Sequence, residues 1–128
     1  MNRRLTVLIA SPDRDYLRLA QIVLRLHGHL VYTTSVKPDR LRRQVRLREP
    51  DILLIDCDSD TLAQVRSSLT APHAVAVLRV YEGPAAIGSP EDALIGKWVS
   101  PSCLASAVAR AVEQSPASGF RTLRLAGS

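Results

Sequence analysis

The chain reads as a doubly wound α/β domain, a five-stranded parallel sheet with helices on both faces. Three observations predict it. Short apolar runs alternate with helical apolar stripes, the pattern of successive βαβ units. One run, Pro50-Asp51-Ile52-Leu53-Leu54-Ile55-Asp56, is apolar from Ile52 to Ile55 between turn-forming residues, as a strand buried on both faces must be. The length, 128 residues, suits one core.

Each element has its own signal. Leu5 to Ala10 is the first strand, and Pro12, Asp13, Arg14 and Asp15 interrupt it too soon for a signal peptide. Asp13 is placed to cap a helix whose stripe is Tyr16, Leu17, Leu19, Ala20, Ile22, Val23, Leu24 and Leu26. Gly28 ends that helix. Leu30 to Thr34 is the second strand. Lys37-Pro38-Asp39 opens a second helix through about Arg48, with Leu41, Val45 and Leu47 facing inward. Ile52 to Ile55 is the third strand, Thr61 to Leu69 the third helix, and Ala74 to Val80 the fourth strand. Ala93 to Ile95, extending toward Trp98, is the fifth, and Ser100-Pro101 starts a helix running to about Glu113. Ser115-Pro116 stops that helix, so residues 1–113 form the domain and 114–128 a flexible C-terminal tail. Within the tail, Phe120 to Leu125 alternates apolar and basic residues, a pattern that suits an added strand or a partner contact.

Composition narrows the function classes. No run approaches the roughly 20 apolar residues of a membrane span, so no membrane partner is expected. Cys57 and Cys103 form no CxxC pair, which suits a reduced, cytoplasmic setting. The net charge of +5 comes from 15 arginines and two lysines against 12 acids. It reads either as nucleic-acid binding or as arginine-rich codon usage. With three Tyr, one Phe and one Trp available for base stacking, the second reading is preferred and nucleic acid is not expected as a partner. No GxSxG, no Ser-His-Asp spacing and no phosphate-cradling glycine loop is present, so the chain is expected to be a binding module and not an enzyme.

Element order and anchor residues resemble the receiver domain of bacterial two-component response regulators, over about residues 5–113. The stretch from Leu17 through Leu26, with Gly28 and Val31, is similar to the family's first helix and the glycine before its second strand. Pro50 to Asp56 is similar to its phosphoacceptor strand, and Lys97 with Ser100-Pro101 is similar to its lysine and last helix start. The resemblance implies a flavodoxin-like three-layer sandwich with Asp56 as phosphoacceptor and Lys97 as crevice support. It also implies a magnesium cofactor and a protein partner, either a histidine kinase or a downstream regulator, with a homodimer as a further expectation.

The departures fall where the chemistry is. Ser11 and Pro12 stand where the family has two metal-binding acids, and a proline side chain offers no ligand. The remaining candidates, Asp56, Asp13 and Asp58, make at most a weak magnesium site. Arg79 aligns with the family's hydroxyl residue, and Trp98 with the proline after its lysine. The stretch from Arg79 to Lys97 is short and holds Gly83-Pro84, Gly88 and Ser89-Pro90, so the fourth helix is expected to be short or missing. Asp13, Ser11, Lys97 and Arg79 are the residues expected to support the crevice, with Arg79 or Lys97 pairing Asp56 as a permanently ionised carboxylate. The alternatives are that Asp56 braces its loop, that Asp58 caps the Thr61 helix, and that Arg79 faces outward if the register differs by one. Trp98 is either an exposed interface anchor or a core residue. Together these features predict an atypical receiver acting by protein–protein interaction. The alternatives are a phosphorylation-independent scaffold and a basic nucleic-acid-binding regulator.

Overall fold

The computed structural model describes residues 4–68, 75–82 and 93–114. Its elements follow in the order β1 (Thr6–Ala10), α1 (Arg14–Leu26), β2 (Leu30–Thr34), α2 (Pro38–Arg48), β3 (Ile52–Asp56), α3 (Ser59–Ser68), β4 (Ala76–Tyr81), β5 (Ala93–Gly96) and α4 (Pro101–Gln114). All four strand pairings are parallel, and the sheet order is β2-β1-β3-β4-β5. This is the doubly wound, flavodoxin-like order. β3 lies at its centre, and Ile52, Leu53, Leu54 and Ile55 are fully buried. The stretch where the fourth helix is expected to be short or missing falls in 83–92, and the expected tail of 114–128 falls in 115–128 apart from Gln114, which ends α4 and is helical. Both lie outside the described residues, as do Leu69 and Ala74 at the ends of their expected elements. Among the described residues no helix is long and apolar enough to cross a membrane.

Strand alternation divides the apolar residues between two cores. Val7, Ile9, Ile52, Leu54, Leu78 and Val80 face α1 and α4, where Tyr16, Val23, Leu24, Leu104, Val108 and Val112 meet them. Leu8, Ala10, Leu53 and Ile55 face α2 and α3, which contribute Leu41, Leu62 and Val65. The second core is the smaller, and Leu41 is the buried residue of α2.

The helix ends are set by local chemistry. The Asp13 carboxylate caps α1, accepting from Asp15 N at 3.0 Å and Tyr16 N at 3.3 Å. α1 closes in a Schellman turn: Gly28 N donates to Arg25 O and His29 N to Leu24 O. That turn requires Gly28 at φ +88°, which only glycine adopts without cost. Asp58 Oδ1 accepts from Thr61 N at 2.7 Å and so caps α3. Ser100 Oγ accepts from Cys103 N at 3.3 Å and caps α4.

Candidate functional site

At the carboxyl end of the sheet, β1, β3 and β5 each deliver one polar side chain to the same place. Asp56 is the last residue of β3, Ser11 follows β1, and Lys97 follows β5. All three lie an even number of residues beyond Ile9, Leu54 and Ile95, members of the α1/α4 core, so alternation puts them on one side of the sheet. Asp13 arrives from the cap of α1. Lys97 is aimed inward because Lys97 N donates to Tyr81 O at 2.9 Å, extending the β4–β5 pairing by one residue.

The four side chains form one network. Ser11 Oγ donates to Asp56 Oδ2 at 2.7 Å and accepts from Asp13 N at 3.0 Å. Lys97 Nζ lies 3.1 Å from Asp56 Oδ2 and 3.0 Å from Asp13 Oδ2. Glu82 Oε2, on the exposed rim, lies 3.6 Å from the same ammonium. Lys97 is only 9% exposed, an uncommon state for a lysine that requires carboxylate partners. Burial alone would lower its pKa, but the bonds to Asp13 and Asp56 outweigh it and hold the group protonated above its ordinary range. In return, the Lys97 bond and the helix N–H groups hold Asp13 below the ordinary carboxylate range.

Aromatic rings close the crevice. Tyr16 is buried under it, its hydroxyl without a hydrogen-bond partner among the described residues. Burial first, and the Asp56 charge second, push the Tyr16 pKa up. Trp98 meets Tyr16 edge-on, with centroids 5.8 Å apart and planes at 82°. The Lys97 ammonium lies 5.5 Å from the Trp98 centroid and 5.8 Å from that of Tyr16, within cation–π range of both rings. Trp98 keeps 55% of its surface exposed.

Three residues named from sequence stand elsewhere. Arg79 pairs in register with Ile55, whereas Asp56 pairs with Val80, so Arg79 points to the α2/α3 side and away from Asp56. It does not pair with Asp56. Its guanidinium is 3% exposed and donates from one terminal nitrogen to Cys57 O at 3.1 Å, bracing the peptide just after Asp56. The other guanidinium nitrogen and Nε have no partner among the described residues. Asp58 is committed to the α3 cap, which holds its carboxylate below the ordinary range. Cys57 is half-buried, and burial pushes its thiol up to about 11, so it is not a nucleophile at neutral pH. Sequence reasoning missed two members of the site, Glu82 and Tyr16. A tyrosine at the start of an otherwise aliphatic stripe, three residues after a helix cap, was the available signal for Tyr16; Glu82 had none.

The donor set bears directly on magnesium. Asp56 Oδ2 and Asp13 Oδ2 both converge on the Lys97 ammonium, and Asp13 Oδ1 is used by the α1 cap. Among the described residues no group of three or more His, Cys, Asp or Glu side chains is arranged to hold a metal ion.

The parallel five-stranded sheet of order 2-1-3-4-5 is a fold shared with solved receiver domains. No family model and no curated protein sequence matches the chain. Solved structures do. The signal receiver domain of a modulated diguanylate cyclase from Desulfovibrio desulfuricans matches with a TM-score of 0.70 at 18% identity, over 88% of this chain and 96% of that one. A response regulator receiver domain protein from Bacillus halodurans matches with a TM-score of 0.65 at 18% identity, over 85% and 97%. NtrX from Brucella abortus, in complex with ATP, matches with a TM-score of 0.73 at 16% identity, over 98% of this chain and 30% of that one. The chain therefore spans less than a third of NtrX, and the likeness is one of fold.

Proposed function

We propose that the chain is an atypical receiver module of the two-component type, in which Lys97 and Ser11 hold Asp56 without a metal, and which acts by protein–protein contact. The observation that carries this reading is the position of Asp56 Oδ2, 2.7 Å from a hydroxyl donor and 3.1 Å from an ammonium shared with Asp13. The residues present do not fit magnesium, which takes near-octahedral oxygen ligation. Ser11 and Pro12 supply no carboxylate, Asp13 and Asp56 already surround a cation, and Asp58 caps α3. Transfer of a phosphoryl group to Asp56 would build negative charge beside one fixed ammonium, with no second cation among the described residues of the crevice to stabilise it. Asp56 is thus read as an acceptor position kept ion-paired, and the crevice as permanently braced.

The partner is a protein, a histidine kinase or a downstream regulator, and a second copy of the chain is the other candidate. Trp98 is the natural contact, since aromatic anchors dominate interface energetics and this ring combines exposure with a fixed edge contact to Tyr16. The expected compartment is the cytoplasm.

Intact mass after incubation with acetyl phosphate and magnesium tests the reading, with Asp56→Asn as control. The expected result is an unchanged mass for both proteins. A gain of one phosphoryl group that Asp56→Asn abolishes would overturn it in favour of a phosphorylated regulator.

A further inference from the structure

The positive charge of the chain is concentrated in one element. α2 holds Arg40, Arg42, Arg43, Arg46 and Arg48 against a single acid, Asp39, so four of the five net positive charges lie in this helix. A codon preference for arginine would scatter them. Arg40 stands in the first turn, where the helix dipole opposes a cation, whereas Arg46 and Arg48 stand in the last turn, where it favours one. Arg48 is satisfied within the molecule, 4.2 Å over the Tyr32 ring and donating to Gln44 at 3.4 Å. Arg42, Arg43 and Arg46 are placed differently. With Asp39 and Leu47 they line an open depression of about 680 Å³. Leu47 is 62% exposed.

We propose that this depression docks an acidic amphipathic segment of a partner protein, with its carboxylates against Arg42, Arg43 and Arg46 and an apolar side chain against Leu47. Charge complementarity selects an anion, and Leu47 selects among anions, because a ligand made only of phosphates gains nothing from an exposed leucine. Among the described residues no aromatic ring lines the depression for a base to stack on, and Tyr32 carries Arg48 over its ring. Asp39 sets the strength: its carboxylate holds Arg42 at 2.8 Å, so an incoming acid must displace it, which keeps binding salt-dependent and reversible. α2 packs on the face of the sheet opposite Asp56, so the site does not rest on the reading given to Asp56.

Fluorescence anisotropy tests it with three labelled probes of equal charge: a peptide with glutamate and leucine at helical spacing, a leucine-free polyglutamate peptide, and a duplex DNA. The glutamate–leucine peptide is expected to bind tightest, more weakly as salt rises. Arg43→Glu with Arg46→Glu is expected to weaken it by about tenfold or more. Leu47→Ala is expected to weaken that peptide by about threefold and leave polyglutamate unchanged. Arg18→Glu with Arg110→Glu, the same change of charge on α1 and α4, is the control and is expected to bind as wild type. Circular dichroism and thermal midpoints verify that each variant is folded. No binding of the glutamate–leucine peptide at low salt overturns the proposal. So does undiminished binding by the Arg43→Glu/Arg46→Glu protein, or tighter binding to the duplex.

Discussion

Lys97 and the arginines of α2 carry the same charge on opposite faces of one sheet, and their surroundings give that charge different work. Lys97 is buried among Asp13, Asp56 and the rim residue Glu82, so its charge is spent inside the molecule. Arg43 and Arg46 are exposed beside a leucine, so theirs is presented to solvent. The buried cation ties together carboxylates at or beyond the ends of β1, β3 and β4; among the described residues Arg43 and Arg46 tie no element to another. A count of charges in the sequence cannot separate these roles. Burial and partner geometry can, and each of the following changes tests the separation.

The largest effect is expected at Lys97. Lys97→Met leaves two carboxylates converging on an apolar side chain, and thermal unfolding should show the midpoint falling by about 5–10 °C. An unchanged midpoint would break the comparison, because Lys97 would then be no more structural than Arg43.

The pH dependence of stability comes next, and its sign follows from the pKa directions. Asp13 is held below its ordinary 3.8, so its contribution is present above that pH and is lost as the pH falls below it. Lys97 is held above its ordinary 10.5, so its contribution is present below that pH and is lost as the pH rises past it. Tyr16, raised from 10.0, acts in the same alkaline direction. Urea midpoints measured across both limbs should flatten on the acid side in Lys97→Met. On the alkaline side they should flatten fully only when Tyr16→Phe is added.

A smaller effect is expected at Arg79. Among the described residues this buried side chain has one hydrogen bond and two unpartnered nitrogens, so its desolvation is poorly compensated there. Arg79→Met should leave stability within about 1 kcal/mol of wild type, or above it. A loss above about 3 kcal/mol would mean that the guanidinium neutralises an anion. The smallest effect belongs to α2: Arg43→Glu with Arg46→Glu should move stability by no more than about 1 kcal/mol per site, since both side chains are exposed and Arg46 gains only from its place in the last turn.

Much of the fold was legible because its signals are local. The apolar run before Asp56, the Asp13 cap, the Gly28 stop and the Ser100-Pro101 start each depend on a few neighbouring residues, and they fix the order of the elements. The crevice was legible in part. Asp56, Lys97, Ser11 and Asp13 sit at strand ends, where topology brings them together. Arg79 was placed on the wrong side because Ala76 to Val80 is apolar apart from the arginine itself, and such a strand gives no alternation from which to read its register. Tyr16 looked like one more member of an apolar stripe, since its role depends on rings and charges that lie far away in sequence. Glu82 depends on where the chain leaves β4, which no local pattern states. The charge of α2 is visible in the sequence, where a solvated basic face is the simplest reading, but the exposure of Leu47 beside it is set by packing that no local pattern states.

The edge contact between Trp98 and Tyr16 has a spectroscopic consequence. Trp98 is the only tryptophan in the chain, and the Lys97 ammonium lies 5.5 Å from its ring. Its emission therefore comes from one place, half in solvent and half against the crevice. Any event that moves Lys97, repacks Tyr16 or covers the exposed edge of the indole should change its wavelength or quenching. The protein carries its own optical probe at the junction between the braced crevice and the surface proposed to meet a partner.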